Sequence, residues 1–358
     1  MAYLDANATE PLRPEARAAA LAAMDLVGNP SSVHAAGRAA RRVLEGARAA
    51  IAGRFGAGAG SVVFTSGGTE ANALAVHALR AGRRVVMGAT EHDAVRAAAL
   101  RATALGAEVL PVDRDGVADL DALARLLAGG PALVCLMLAN NETGTIQPVA
   151  AAAALCRQHG ALLHVDAVQA AGRIPVAMAG DSMALSSHKL GGPKGAGALL
   201  LGPGVDVAPL LAGGGQERGR RGGTPALPAI AGFAAAALAP VPDVAALRDA
   251  AQAAAVACGA VALGGPHRLP NTACLALPGV RADTQVIALD LAGVQVSAGA
   301  ACSSGKVAES HVLRAMGCGA LAGQAIRVSL PWNAAAADVS AFADAYAGMA
   351  ARLCRRAA

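Results

Sequence analysis

Of the 30 Lys and Arg side chains in this sequence, only Lys189, Lys194 and Lys306 are lysines. Arginine stays protonated and cannot supply a neutral amine, so a Schiff-base amine has three candidates. Lys189 sits in Ser186-Ser187-His188-Lys189-Leu190-Gly191-Gly192-Pro193. A strand-like run precedes it and glycines come after it. The Ser186 hydroxyl and the His188 imidazole suit an anionic group beside a reactive carbonyl. A Gly/Pro turn with surface lysines has the same composition. Asp166 lies 23 residues upstream, at the end of Leu162-Leu163-His164-Val165. A carboxylate at the carboxyl end of a buried strand needs a cationic partner, such as a protonated ring nitrogen. Gln169 lies three residues later and could donate to a phenolate. A helix N-cap explains Asp166 alone, but not Asp166, Gln169 and Lys189 together.

Other segments can be read the same way. Thr65-Ser66-Gly67-Gly68-Thr69-Glu70 comes after an apolar run and opens a helix. Gly68 lets the backbone approach an anion, and the Thr69 hydroxyl adds a donor at the helix start; ordinary capping by Ser66 and Glu70 is the alternative. His92 lies just past another apolar run and could stack on a ring, or be structural. Asn141, in Asn140-Asn141-Glu142, occupies the equivalent place after residues 133–138 and could hold a carboxylate or a cofactor oxygen. The tract 213–224, from Gly213 to Thr224, is either a phosphate-contacting loop or a disordered Gly/Arg segment that binds RNA; it lacks aromatics, which favours the loop. Cys302, in Ser297-Ala298-Gly299-Ala300-Ala301-Cys302-Ser303-Ser304-Gly305-Lys306, differs from the other six cysteines in its small, polar loop. A thiol there, four residues before Lys306, can ionise and attack. Lys306 is expected to lower that thiol's pKa or to guide an acidic acceptor. Arg327, in Ile326-Arg327-Val328-Ser329, could grip a carboxylate with two parallel hydrogen bonds, or be a surface strand residue.

These residues need a scaffold. Apolar runs at 62–64, 85–87, 109–110, 133–138, 162–165 and 198–201 alternate with Ala/Leu-rich helical stretches. Continuous runs of this length imply strands buried on both faces of a mostly parallel sheet, with ligands at their carboxyl ends. The stretch 224–242 reads as a buried Ala-rich helix. Pro240-Val241-Pro242 marks a boundary, and the remainder of the chain, with strand-like runs at 272–277 and 326–330, forms a smaller α+β unit. The expected division is a large unit, 12–242, and a small one made of 1–11 and 243–358.

Composition removes some function classes. With 55% hydrophobic residues over 358 positions, a sizeable core is expected, yet no run of about 20 uninterrupted apolar residues offers a membrane span. Met1-Ala2-Tyr3-Leu4-Asp5 has no basic or apolar leader character, and an odd count of seven cysteines argues against a disulfide framework. A cytoplasmic protein is expected. The net charge of +5 is too small, and too dispersed, for a nucleic-acid surface.

Taken in order, these segments resemble the cysteine desulfurases of the NifS/IscS-like branch of the class V aminotransferase family. The resemblance also covers Leu4-Asp5-Ala6-Asn7-Ala8-Thr9, Gly28-Asn29-Pro30-Ser31-Ser32 and Gly214-Gly215-Gln216-Glu217-Arg218-Gly219. It implies the fold type I architecture of pyridoxal-phosphate (PLP) enzymes, with a mostly parallel seven-stranded sheet plus a smaller α+β domain. It implies PLP joined to Lys189, with Asp166 on the pyridine nitrogen, Gln169 on the phenolate and His92 on the ring face. Gly68, Thr69, Ser186 and His188 would hold the phosphate, with Thr224 reaching across from a partner subunit. Asn141 and Arg327 would bind the substrate carboxylate, and Asn141 would also contact the cofactor. The implied reaction converts L-cysteine to L-alanine and leaves the sulfur as a persulfide on Cys302. Implied partners are a second copy of the chain and a sulfur-acceptor or iron–sulfur scaffold protein, the one expected metal contact being a transient one at Cys302. A selenocysteine lyase, another class V lyase or aminotransferase, and a non-catalytic scaffold are the competing readings. The sequence departs from the branch at Ala6, Glu10 and Pro331-Trp332.

Overall fold

A computed structural model describes residues 1–102, 106–241, 243–299 and 309–354. The chain enters through β1 (Ala2–Tyr3). It then forms β2 (Val62–Thr65), β3 (Arg84–Gly88), β4 (Glu108–Leu110), β5 (Ala132–Met137), β6 (Leu162–Asp166), β7 (Ser182–Ser186) and β8 (Gly197–Leu201). These last seven make one sheet in the order β2-β8-β7-β6-β5-β3-β4. Only β8 opposes its neighbours, so β2, β3, β5, β6 and β7 all point their carboxyl ends to the same edge.

The pattern arises from burial. All six residues of β5, Ala-Leu-Val-Cys-Leu-Met, are buried. Val134 and Leu136 join one core with Leu163 and Val165, while Leu133 and Cys135 join another with Val85 and Met87. Strands covered on both faces need apolar residues at every position. Strand β7, Ser-Met-Ala-Leu-Ser, is equally buried although both of its ends are polar. Helices Pro14–Met24, Ala35–Phe55 and Leu227–Leu238 lie on one side of the sheet, and Gly68–Leu79 and Asp93–Ala102 on the other. The Leu227–Leu238 helix has no charged residue and packs against both Pro14–Met24 and Ala35–Phe55, as a helix apolar all round must.

A second core gathers around β9 (Val261–Leu263), β10 (Thr272–Ala276), β11 (Val294–Gln295), β12 (Ser297–Ala298) and β13 (Ala325–Ser329). The antiparallel sheet β12-β13-β10-β9 packs under Phe342 and Met349 of the helix Ala336–Cys354. Strand β1 pairs with β11, and Ala2 and Leu4 are buried in this second core. The first residues of the chain therefore belong with its last third.

Strand β2 ends the large sheet, and its outer edge is covered by a buried ion pair. Arg48 grips both carboxylate oxygens of Glu217 at 2.7 and 2.9 Å. Arg48 also donates to the Val62 carbonyl, and Glu217 accepts from the Phe64 amide at 2.8 Å. Glu217 and Arg218 both hold left-handed backbone conformations, with φ of 48° and 60°. Among the described residues, no helix is long and apolar enough to cross a membrane.

Candidate active site

Five loops meet where the parallel strands end. They enclose a cavity of about 540 Å³ lined by Gly68, Thr69, His92, Asn141, Asp166, Gln169, Ser186, His188, Lys189 and Arg327. The strand ends supply these groups in turn: Gly68 and Thr69 after β2, His92 after β3, Asn141 after β5, Gln169 after β6, Lys189 after β7. Every described residue named from sequence for this site lies here except Thr224. That residue lines a smaller neighbouring pocket with Ser66, Gly195 and Arg221 and is exposed. Cys302 and Lys306 lie outside the described residues.

Asp166 is the last residue of β6 and is buried. Its Oδ1 accepts from the Val168 amide at 2.9 Å and its Oδ2 from Asn72 Nδ2 at 2.7 Å. Burial pushes the carboxyl pKa up, and the nearby His92 and Lys189 pull against that rise. Gln169 donates its amide NH2 to the Asn7 carbonyl at 3.0 Å, while its Oε1 is buried and has no partner. Gly67 provides no side-chain cap for the helix Gly68–Leu79, so the first N–H groups of that helix are not taken up by a cap. A Cβ on Gly68 would lie 2.7 Å from Val168 Cγ2 and 3.3 Å from Ser186 Cβ, so only glycine leaves the cavity floor open here.

A strap formed by residues 5–10 closes the opposite side. Lys189 donates to the carbonyls of Asn7 at 2.6 Å and Ala8 at 3.1 Å. Asn7 is buried and tied in both directions. Its amide side chain donates to Asn141 O and Thr272 Oγ1, accepts from Asn271, and its backbone N–H donates to Ser329 Oγ. His188 contacts Thr9 Oγ1 through Nδ1 at 3.1 Å; burial and the charges of Lys189 and Lys194 lower its pKa to about 4, leaving the ring neutral at pH 7.

Arg327, on β13, reaches the cavity from the smaller sheet. It donates through Nη2 to Asp5 at 2.7 Å and through Nη1 to the Asn141 carbonyl at 3.1 Å; its Nε is buried without a partner. The departures noted in the sequence also meet here. Glu10 accepts from the Trp332 amide and pairs with buried Arg173 at 3.5 Å, while Arg173 donates to the Ala6 carbonyl. Arg13 stacks over Trp332 at 4.9 Å. A buried Glu142 carboxylate accepts from Ser310 Oγ, joining the loop after β5 to the smaller sheet's side.

Two groups of contacts were not picked out in the sequence. His164 and Asn72, behind Asp166, had usable signals: His164 is two residues from Asp166 on one strand, hence on the same face, and Asn72 is one helical turn beyond Thr69. Asp5 and Asn7 had none, because their partners lie more than 130 residues away.

The class-V aminotransferase model matches residues 2–342. The chain belongs to the class-V aminotransferase family. Within that family it is 45% identical to a cysteine desulfurase from Cereibacter sphaeroides, over 93% of this chain and 92% of the relative. It is 39% identical to an IscS-like cysteine desulfurase from Mycobacterium tuberculosis, covering 100% of this chain and 98% of the relative. A solved NifS-like protein superposes with a TM-score of 0.91 at 32% identity, covering 99% of this chain and all of that one. The fold is thus the α/β type I architecture expected from sequence: a mostly parallel seven-stranded sheet with a smaller α+β part.

Proposed function

We propose that this class-V aminotransferase family member is a PLP-dependent cysteine desulfurase, converting L-cysteine to L-alanine and carrying the sulfur as a persulfide on Cys302. The observation that carries this reading is the meeting of Lys189, Asp166 and Arg327 in one cavity, in a chain whose relatives bear that name.

The residues fit the cofactor. An amine, a buried carboxylate, an amide NH2 with a second hydrogen beyond the one given to Asn7, and an uncapped helix start suit an aldehyde, a ring nitrogen, a phenolate and a phosphate. Lys189 would carry the aldehyde, Asp166 the ring nitrogen, Gln169 the phenolate and His92 the ring face. Gly68, Thr69, Ser186 and His188 would take the phosphate. The exposed Thr224 would serve the phosphate of a second copy, which makes the active form a homodimer. Bound PLP supplies an electron sink for charge left on the substrate's α-carbon.

The chain's own groups do the rest. Arg327, oriented by Asp5 and the Asn141 carbonyl, grips the substrate carboxylate, with the Asn141 side chain beside it. Lys189, held against the Asn7 and Ala8 carbonyls, is placed to remove the α-proton. The Cys302 thiolate then attacks the substrate sulfur: a sulfur–sulfur bond forms, the carbon–sulfur bond breaks with its electron pair left on carbon, and the carbon side takes up a proton to leave as alanine. The large unit, 12–242, carries the cofactor, while residues 1–11 and 243–358 carry Arg327 and Cys302. The sulfur passes to an acceptor or iron–sulfur scaffold protein in the cytoplasm.

The test is mass spectrometry and alanine analysis after exposure to L-cysteine. Wild type should form alanine and gain one sulfur atom on Cys302. Full turnover by Cys302→Ser would remove the thiol from the mechanism, and no alanine from wild type would remove the reaction.

A further inference from the structure

Behind Asp166 runs a chain of three buried polar side chains. Asn72 Nδ2 donates to Asp166 Oδ2 at 2.7 Å, Asn72 Oδ1 meets His164 Nε2 at 2.8 Å, and His164 Nδ1 meets Ser182 Oγ at 2.8 Å. Relative exposure is 1% for Asn72 and 0% for His164 and Ser182. The register builds it: His164 pairs directly with Ser182 across β6 and β7, two residues before Asp166 pairs with Ala184.

The carboxylate sets the direction of every link. An ionised Asp166 accepts only, so it must face the NH2 of Asn72. The Asn72 oxygen is then turned to His164 and requires the ring proton on Nε2. Burial keeps the ring neutral, with its pKa lowered to about 4, so bare Nδ1 accepts from the Ser182 hydroxyl. Reversing the chain means turning the Asn72 amide, moving the ring proton to Nδ1 and protonating Asp166 together. The other groups whose charge reaches Asp166 are His92, Lys189 and the buried Glu91.

We propose that Asn72, His164 and Ser182 are positioning residues that hold Asp166 as an oriented carboxylate, a one-way donor chain that selects a ligand bearing a protonated ring nitrogen. This rests on the cofactor reading above, and its test separates the two. Borohydride fixation of a group on Lys189 in wild type checks the cofactor alone.

In 15N-histidine holoenzyme, the His164 ring should show the Nε2–H tautomer at neutral pH; the Nδ1–H form or a charged ring there overturns the proposal. Asn72→Ala should release cofactor at least about tenfold faster and shift the pH midpoint of its visible absorbance, since a buried acceptor loses its donor. His164→Gln offers a donor and an acceptor and should restore retention and midpoint towards wild type, whereas His164→Val should not. A folded Asn72→Ala protein, with its thermal midpoint unchanged and both cofactor readings at wild-type values, overturns the proposal while leaving the cofactor reading intact. If Asn72→Ala does not fold, the tautomer and the Gln–Val contrast decide.

Discussion

On one side of the cavity, Asp166 is held by neighbours from adjacent elements: Val168 just after it, Asn72 on the helix after β2, and His164 and Ser182 in register on β6 and β7. On the other side, Lys189 and Arg327 lean on the strap, whose Asp5 and Asn7 reach partners 130 or more residues distant. The first arrangement is fixed once the sheet forms. The second exists only when the small sheet, the strap and the loop after β5 have all come together. Variants should therefore behave differently on the two sides.

The largest effect is expected at the amine where the two sides meet. Lys189→Ala should cut alanine formation by roughly a thousandfold or more, because it removes the amine proposed as both cofactor anchor and base. Its thermal midpoint should stay near that of the cofactor-free wild type. A large drop in that midpoint would mean that Lys189 also holds the strap. Arg327→Lys should raise KM for cysteine by about tenfold or more and change kcat less, since a point charge replaces a planar fork. An equal fall in kcat would show instead that the strap side shapes the transition state.

Asn7→Ala removes a side chain that bridges both sheets, while its backbone carbonyl remains. A loss of about 2 kcal/mol or more in denaturant unfolding is expected, from several buried partners left unpaired. No loss would mean that the strap is held by the Glu10–Trp332 cluster instead. His188 sharpens the comparison from another direction. Its ring is neutral in the cofactor-free protein, with a pKa of about 4. An anion beside it favours the protonated form, so binding takes up a proton. Inorganic phosphate should bind the cofactor-free protein more tightly as pH falls from neutral towards 5, by calorimetry; a flat profile would place the anion away from His188.

The sheet side is tested through pH. His164 ordinarily titrates near 6.5 but is lowered to about 4 in the fold. A depressed basic group contributes stability that is complete above pH 6.5 and lost as pH falls towards 4, at most roughly 3 kcal/mol. His188 adds to the same window. His164→Gln should flatten, without abolishing, the acid limb of a stability–pH curve; an unchanged limb would mean that the ring charges without penalty.

The contrast also explains what the sequence made legible. Most strands of the large sheet show as apolar runs because burial on both faces demands them; the edge strand β4, with Val109 exposed, and β7, whose ends are polar for Ser182 and Ser186, are the exceptions. Asp166, Gln169 and His92 could be named because each comes directly or a few residues after such a run, and Lys189 because lysine is rare in this chain and glycines follow it. The resemblance to NifS/IscS-like proteins added Thr224, which the fold sets outside the main cavity. Asp5, Asn7 and Glu142 could not be given roles, since their meaning lies in contacts that no local pattern encodes. The departures at Ala6, Glu10 and Trp332 read as scattered oddities, yet the fold gathers them around Arg173 and Arg13.

The Arg48–Glu217 pair has a consequence beyond the loop it anchors. An outermost strand offers its bare amide and carbonyl groups to any passing chain, and proteins must blunt that template. Here a carboxylate fills the place of a neighbouring strand's carbonyl and a guanidinium that of its amide, on Phe64 and Val62. A chain lacking this pair would bare that edge, and side-by-side assembly through β2 would lower its solubility.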